Sequence, residues 1–223
     1  MMIQADTPVG QIATEYPMAT KVFARHGMDF CCGGGKAIEK VCESKGLDVA
    51  AVLDEIREAV ADPDSDMERW DEAPLDALIA HILKTYHEPL KEELPRLEFM
   101  AQKVNTVHGS KMPEVLSELL STVVALRAEL EGHMGKEEQI LFPLILQGRG
   151  AMAGGPVAVM EQEHESAGDA LQRLRELTGD FEVPAEACNT WRALWHGLAS
   201  LEAETHQHIH LENNILFPRA LAG

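Results

Sequence analysis

HMGKEEQILFP at residues 133–143 and HIHLENNILFP at residues 208–218 decide how this chain is read. Both follow HxxxExxILFP, with six identities in eleven positions at an offset of 75 (208 − 133). A single histidine stands upstream of each copy, His87 before the first and His164 before the second, at an offset of 77 (164 − 87). The chain therefore carries a duplicated helix pair, one helix with a lone His and the other with His-x-x-x-Glu. Residues four apart share a helix face, so His133 points with Glu137 and His208 with Glu212. Each pair also interrupts an apolar row: Leu126, Leu130, His133, Glu137, Ile140 and Leu144 in one copy, Leu194, Leu198, Leu201, Thr205, His208, Glu212 and Ile215 in the other. His87 lies among Leu83, Leu90 and Leu94, and His164 among Val157, Met160 and Leu171. Six polar groups from four helices are thus expected to face one core.

Two buried carboxylates without compensation would cost several kcal/mol each or be forced to protonate. A metal centre removes that difficulty. Two metals a few ångström apart can each take two imidazoles and share both glutamates as bridges, the logic by which helical bundles build dinuclear carboxylate sites. Room then remains for an oxo or hydroxo bridge and for an exogenous ligand such as dioxygen or nitric oxide. Imidazole and carboxylate suit iron, but raw affinity favours copper or zinc, so the ligand types alone leave the metal open.

Outward from the repeat, helical periodicity continues almost everywhere and no sustained period-two strand occurs, so the expected fold is all-α. Four long patterns run from Pro74 to about Val104, Pro113 to about Gln147, Pro156 to about Thr178, and Pro184 to the C-terminus. They predict a four-helix bundle, with Pro89 and Pro95 kinking its first helix. Ahead of it, ADPDSDMERWDEAP at 61–74 is acidic, poor in apolar residues and contains two prolines, and reads as a linker. The division is a small helical domain at 1–62 and the bundle at 73–223. Short helices are expected from Thr7-Pro8 to Pro17, around Val22 and Phe23 to Gly27, from Lys36 to about Ser44, and from Asp48 to about Ala61. DFCCGGG at 29–35 must contain a turn, because three successive glycines cost too much inside a helix.

The 223 residues are long enough for a real core, and 45% hydrophobic content is ordinary for a globular protein. Nineteen basic against 37 acidic residues give −18, which argues against nucleic acid and anionic membranes as partners. No secretory signal or membrane span is legible, so a cytoplasmic protein is expected. Cys31, Cys32, Cys42 and Cys188 do not make a disulfide framework in a chain of this size, and reduced thiols are the default.

The bundle resembles the hemerythrin-like di-iron domains, and the whole chain resembles the repair-of-iron-centres (RIC, ScdA-type) family. The resemblance rests on DFCCGGG, Tyr86-His87, HMGKEEQILFP, MEQEH ending at His164, and HIHLENNILFPRALAG. It implies that His87, His133, Glu137, His164, His208 and Glu212 ligate two irons with the glutamates bridging, the same six that spacing selects. Oxygen-carrying hemerythrins resemble only the bundle, lack the cysteine module and use a fifth His with no counterpart here.

Other residues carry less. Glu129, one turn before His133, and Glu163, beside His164, are candidates for acceptors behind the ligands or for proton relays; in the family, similarly placed carboxylates are associated with the route to the di-iron site. Cys31 and Cys32 precede a helix expected near Lys36, whose N-terminus would lower their pKa and make them reactive. Such a pair can form a strained disulfide, bind a metal fragment with other ligands, or react with nitric oxide or oxidants. Cys42 and Cys188 read as core filler. His81, His206 and His210 are assigned to solvated faces, and His26, His108 and His196 give no signal.

The function implied by the resemblance is repair of iron–sulfur clusters damaged by nitrosative or oxidative stress, by supplying iron, with damaged iron–sulfur proteins as partners. Two alternatives stay open: a di-iron oxidoreductase acting on nitric oxide or nitrite, and a nitric oxide or oxygen binding sensor. Whether the chain turns over as an enzyme, and whether it forms a homodimer, stay open too.

Overall fold

The computed structural model describes residues 3–61 and 69–223, so residues 62–68 of the acidic segment read as a linker lie outside the described residues. Among those described, every regular element is helical, and the one β-type contact is an isolated antiparallel bridge between Pro8 and Ala37. Four short helices come first: α1 (Val9–Glu15), α2 (Ala19–Arg25), α3 (Ile38–Lys45) and α4 (Val49–Ala61). Helices this short are marginal alone and owe their stability to packing. Ile12, Phe23, Phe30, Ile38 and Ile56 supply it, all fully buried in one cluster.

Four rods form the bundle. The first joins α5 (Leu75–Ile82) to α6 (Glu88–His108) through a π-helical turn, π1 (Leu83–His87). The second joins α7 (Pro113–Lys136) to α8 (Phe142–Leu146) through π2 (Glu137–Leu141). The third is α9 (Gly154–Thr178), and the fourth joins α10 (Asn189–Leu211) to α11 (Phe217–Ala222) through π3 (Glu212–Leu216). The fourth rod begins at Asn189 and not at Pro184, which leaves Cys188 exposed at its start and corrects the expectation of a core position. Cys42 is buried as expected.

The π turns answer the prolines. Pro89, Pro143 and Pro218 each sit at the second position of the helix after a π turn. A proline inside an α-helix offers no N–H and its ring collides with the carbonyl four residues back. Here the preceding turn is widened, with i→i−5 bonds from Glu88 N–H to Leu83 O, Phe142 N–H to Glu137 O and Phe217 N–H to Glu212 O. The extra residue rotates the rest of the rod by about 100°, one helical step. Ile140, expected to face inward, is consequently 57% exposed, and Leu141 takes its place at 1%.

Two apolar layers fill the bundle. One contains Leu90, Leu94, Leu126, Leu130, Trp191, Leu198 and Leu201; the other contains Ile82, Leu141, Phe142, Met160, Leu211 and Phe217. On every rod the residues of the polar set fall between the two. The small module packs against the fourth rod. Ile209 joins its core, and Asn214 Nδ2 donates to the carbonyls of Phe30 (3.2 Å) and Cys31 (3.3 Å). A Cβ at Gly10 or Gly34 would collide with the Asn214 side chain, so both glycines are needed for this close approach. His210 is thereby buried, its ring edge-on to Phe30 with centroids 5.5 Å apart. A solvated face was expected for it, and the covering module is the reason for the difference.

Candidate metal centre

His87, His133, Glu137, His164, His208 and Glu212 converge in the middle of the bundle, each no more than 3% exposed. They fall into two sets that share both glutamates, one with His87 and His208 and the other with His133 and His164; within each set the ligand atoms lie within 4.8 Å of one another. His87 Nε2 and His208 Nε2 are 3.2 Å apart, His133 Nε2 and His164 Nε2 3.1 Å. Glu137 Oε2 stands 3.3 Å from one nitrogen of each set, those of His87 and His133. Glu212 spans the sets with its two oxygens, Oε1 at 3.0 Å from His208 Nε2 and Oε2 at 3.2 Å from His164 Nε2. A carboxylate placed between two imidazole pairs is the arrangement of a bridging ligand.

The electrostatics of this arrangement call for cations. Both oxygens of Glu137, and Oε2 of Glu212, are buried without a hydrogen-bond partner among the described residues. Burial, then the facing Glu212, pushes the Glu137 carboxyl well above the usual carboxylate range. Burial pushes Glu212 the same way, but His208 and His164 outweigh it and hold it low. Without metal the two carboxylates therefore form a coupled buried dyad in which Glu137 is the more readily protonated. Burial also lowers His87, and lowers His133 to about 4, so both are neutral at pH 7 with nitrogen lone pairs available. Four imidazoles and two carboxylates are a donor set that fits a pair of divalent or trivalent first-row metals.

Behind the six stand groups that orient them. His87 Nδ1 meets Glu138 Oε1 at 2.9 Å, and Lys91 Nζ donates to both oxygens of Glu138 at 2.7 and 2.9 Å. His133 Nδ1 meets Glu163 Oε2 at 3.0 Å, with Lys136 paired to the other oxygen. His164 Nδ1 meets Asn213 Oδ1 at 2.8 Å. With Nδ1–H donating outward, Nε2 is fixed as the inward lone pair on all three rings. Tyr86 stacks on His208 at 5.3 Å and Phe217 on His164 at 6.0 Å. Glu163 thus stands as an acceptor behind His133, whereas Glu129 accepts from Ser166 (3.2 Å). Both line a cavity of about 470 Å³ that also reaches His133, His164, Thr205 and His208. The Thr205 hydroxyl is buried in that wall with no partner among the described residues.

The cysteine turn lies against this centre. Asp29 accepts the N–H groups of Cys31 (3.1 Å), Cys32 (2.9 Å) and Gly33 (2.7 Å), which folds the turn around its carboxylate. Cys32 Sγ is 3.7 Å from the carbonyl oxygen of His164, and Asn213 Nδ2 donates to the Cys31 carbonyl at 3.3 Å. The expected lowering of the thiol pKa is not what Cys31 shows. Its hydrogen bond with Cys32, burial and the nearby Asp29 all raise it, and α3 starts at Ile38, two residues later than expected.

Residues 78–220 match the family described as the hemerythrin HHE cation binding domain, and residues 5–60 match a domain of unknown function, DUF542. Curated relatives named iron-sulfur cluster repair protein YtfE align along the whole length: that of Escherichia coli O81 is 43% identical over 223 residues, 100% of both chains, and that of Citrobacter koseri 43% over 219 residues, 98% of both. This chain belongs to the RIC family. Its hemerythrin-like bundle implies a di-iron centre, and no helix among the described residues is long and apolar enough to cross a membrane.

Sequence reading of this RIC chain missed the residues behind the ligands. Glu138 and Asn213 follow Glu137 and Glu212 at the repeat offset, a signal that was available, but a charged residue beside an inward one reads by default as solvated. Lys91 and Lys136 carried no signal of their own, whereas Thr205 stood in the inward row and is buried there. His81, assigned to a solvated face, is half-buried between Trp70, stacked at 4.2 Å, and Tyr86.

Proposed function

We propose that this chain restores iron–sulfur clusters damaged by nitrosative or oxidative stress, as its relatives' name states of cluster repair, and that it does so by supplying iron. The observation that carries the reading is the pair of partner-poor carboxylates set between two imidazole pairs. In this reading His87 and His208 hold one iron, His133 and His164 the other, and Glu137 and Glu212 bridge them. When bound, the iron pair supplies redox chemistry and a releasable store of iron.

The chain's own residues set the terms of holding and release. Glu138 and Glu163 fix His87 and His133 by accepting from Nδ1, and Lys91 and Lys136 offset the charge of those carboxylates. Burial raises the pKa of each carboxylate, but the bonds from lysine and histidine outweigh it and keep both ionised. Of the two, Glu163 lines the cavity, so it links the His133 ring to solvent there. The cavity gives a small molecule, or a departing ion, a path to three of the four histidines. We place the protein in the cytoplasm, where four unpaired cysteines stay reduced, with the domains divided at 1–62 and 73–223.

The test is reactivation of an iron–sulfur dehydratase inactivated by nitric oxide, using the iron-loaded chain. Recovery of activity with loss of iron from the chain is expected, with none from Glu137→Ala or Glu212→Ala protein. Recovery equal to that given by free ferrous salt would overturn the reading. The cavity supports a second reading, redox chemistry on nitric oxide or nitrite. Multiple turnovers of either with an electron donor would favour it, and reversible binding alone would favour a sensor.

A further inference from the structure

Asp29, Cys31 and Cys32 present Oδ1, Sγ and Sγ within 4.8 Å of one another. The two sulfurs are 3.8 Å apart, and Cys31 Sγ is 3.4 Å from Asp29 Oδ1. With metal–sulfur bonds of about 2.3 Å and metal–oxygen bonds of about 2.0 Å, two thiolates on a tetrahedral ion stand about 3.8 Å apart, and a thiolate and a carboxylate oxygen about 3.5 Å apart. The observed separations are those edge lengths. The carboxylate is also held in place, since three backbone N–H groups of the turn donate to it. A Cβ at Gly33 would come within 2.7 Å of Asp29 Oδ2, so glycine is what lets the turn close on the carboxylate. Cys31 is buried, Cys32 half-buried and Asp29 exposed, which leaves one side open to solvent. The other side faces the bundle, where Cys32 Sγ meets the backbone carbonyl of His164 and Asn213 ties Cys31 to the His164 ring.

We propose that Asp29, Cys31 and Cys32 form a second metal site, mononuclear and separate from the six-residue centre, for one divalent transition-metal ion with a coordination position left open. Binding exchanges two thiol protons for one cation, so the ion enters as two protons leave to solvent and no electron is transferred. A thiolate–carboxylate set takes ferrous iron or zinc. If the chain repairs clusters by supplying iron, the reading on which this extension rests, the turn is where iron leaving the bundle is passed on: soft sulfur ligands on the donor match the sulfur ligands of a damaged cluster.

Cobalt(II) titration of the iron-loaded full chain under anaerobic conditions tests the site, because thiolate-to-cobalt charge-transfer absorption reports on cysteine ligands and not on histidine or glutamate. Expected are saturation at one cobalt per chain, release of two protons per cobalt at pH 7, and loss of the absorption in Cys31→Ser and in the half-buried Cys32→Ser. Asp29→Asn should weaken cobalt binding by about tenfold or more, and Cys42→Ser and Cys188→Ser should leave it unchanged. Absorption that persists without Cys31 and Cys32, or never develops, overturns the proposal. The Glu137→Ala chain separates the two readings: an unchanged cobalt band there supports an independent site, and its disappearance counts against one. Failure of cluster repair with the band intact would remove the repair reading and leave the metal site standing.

Discussion

The two copies of HxxxExxILFP place His133 and Glu137, and His208 and Glu212, alike within one centre, yet their surroundings have diverged. The first copy borders solvent: Ile140 is 57% exposed and Glu138 is salt-bridged to Lys91. The second lies under the small module: Ile215 is 4% exposed and lines a crevice with Ala13 and Pro17, and Asn213 replaces the charged Glu138. An ion-paired carboxylate backs His87, and a neutral amide backs its repeat-mate His164. That amide has a second bond to make, to the Cys31 carbonyl, which a carboxylate could not donate. Duplication supplies a symmetric set of converging histidines and glutamates, and docking of another module on one copy breaks the symmetry outside it.

The strongest way to break this comparison is to remove the bridges. Glu137→Ala and Glu212→Ala should be equally damaging: iron content should fall from about two per chain to below one, and low-temperature electron paramagnetic resonance should lose the coupled mixed-valence signal. His81→Ala should change neither. A coupled pair surviving either alanine variant would mean that the copies are not equivalent even as ligands.

Next in size is the divergence in burial. Ile215→Ala should cost about 2–4 kcal/mol in urea unfolding, whereas Ile140→Ala, at the same place in the repeat, should stay within about 0.5 kcal/mol. Equal costs would contradict the covered-versus-open distinction.

The groups behind the ligands sharpen it further. Glu138→Gln should weaken iron retention about 10- to 100-fold in chelator competition. Asn213→Asp should keep the iron but speed hydrogen exchange through residues 29–35, because it removes the amide donor to Cys31. Faster iron loss from Asn213→Asp than from Glu138→Gln would reverse the assignment of roles.

The smallest effect concerns pH. In metal-free protein, burial holds His87 below its ordinary value and His133 at about 4, while unfolded imidazoles titrate near about 6.5. Between those values the unfolded chain binds more protons, so stability should fall as pH drops from about 6.5 towards about 4 and be flat above that window. Urea midpoints measured from about pH 4 to about pH 8 check it, and a midpoint constant through the window would place the histidines in a wetter site. Iron-loaded protein should also release metal in acid, because only neutral imidazole ligates.

The six converging residues and the helical bundle were legible in the sequence because period and duplication encode them directly. Ile140 was misread because a π turn adds a residue that no fixed helical period anticipates, although the proline six positions past Glu137 and Glu212 was its visible cause in both copies. His210 was misread, and Asn213 and Asn214 were passed over, because a polar helix face built to seat another module looks like one built to face water. The Cys31 environment was misread because the turn closes on Asp29 instead of on a helix end.

The seat offered by Asn213 and Asn214 also has a consequence for the order in which the molecule is made. The cysteine turn lies near the start of the chain, and the amides that hold it lie 182 to 184 residues later. During synthesis the turn must therefore wait, undocked, until Asn213 and Asn214 have emerged. The same late stretch carries His208 and Glu212, so the thiols reach their station only when the last of the six converging residues have been translated.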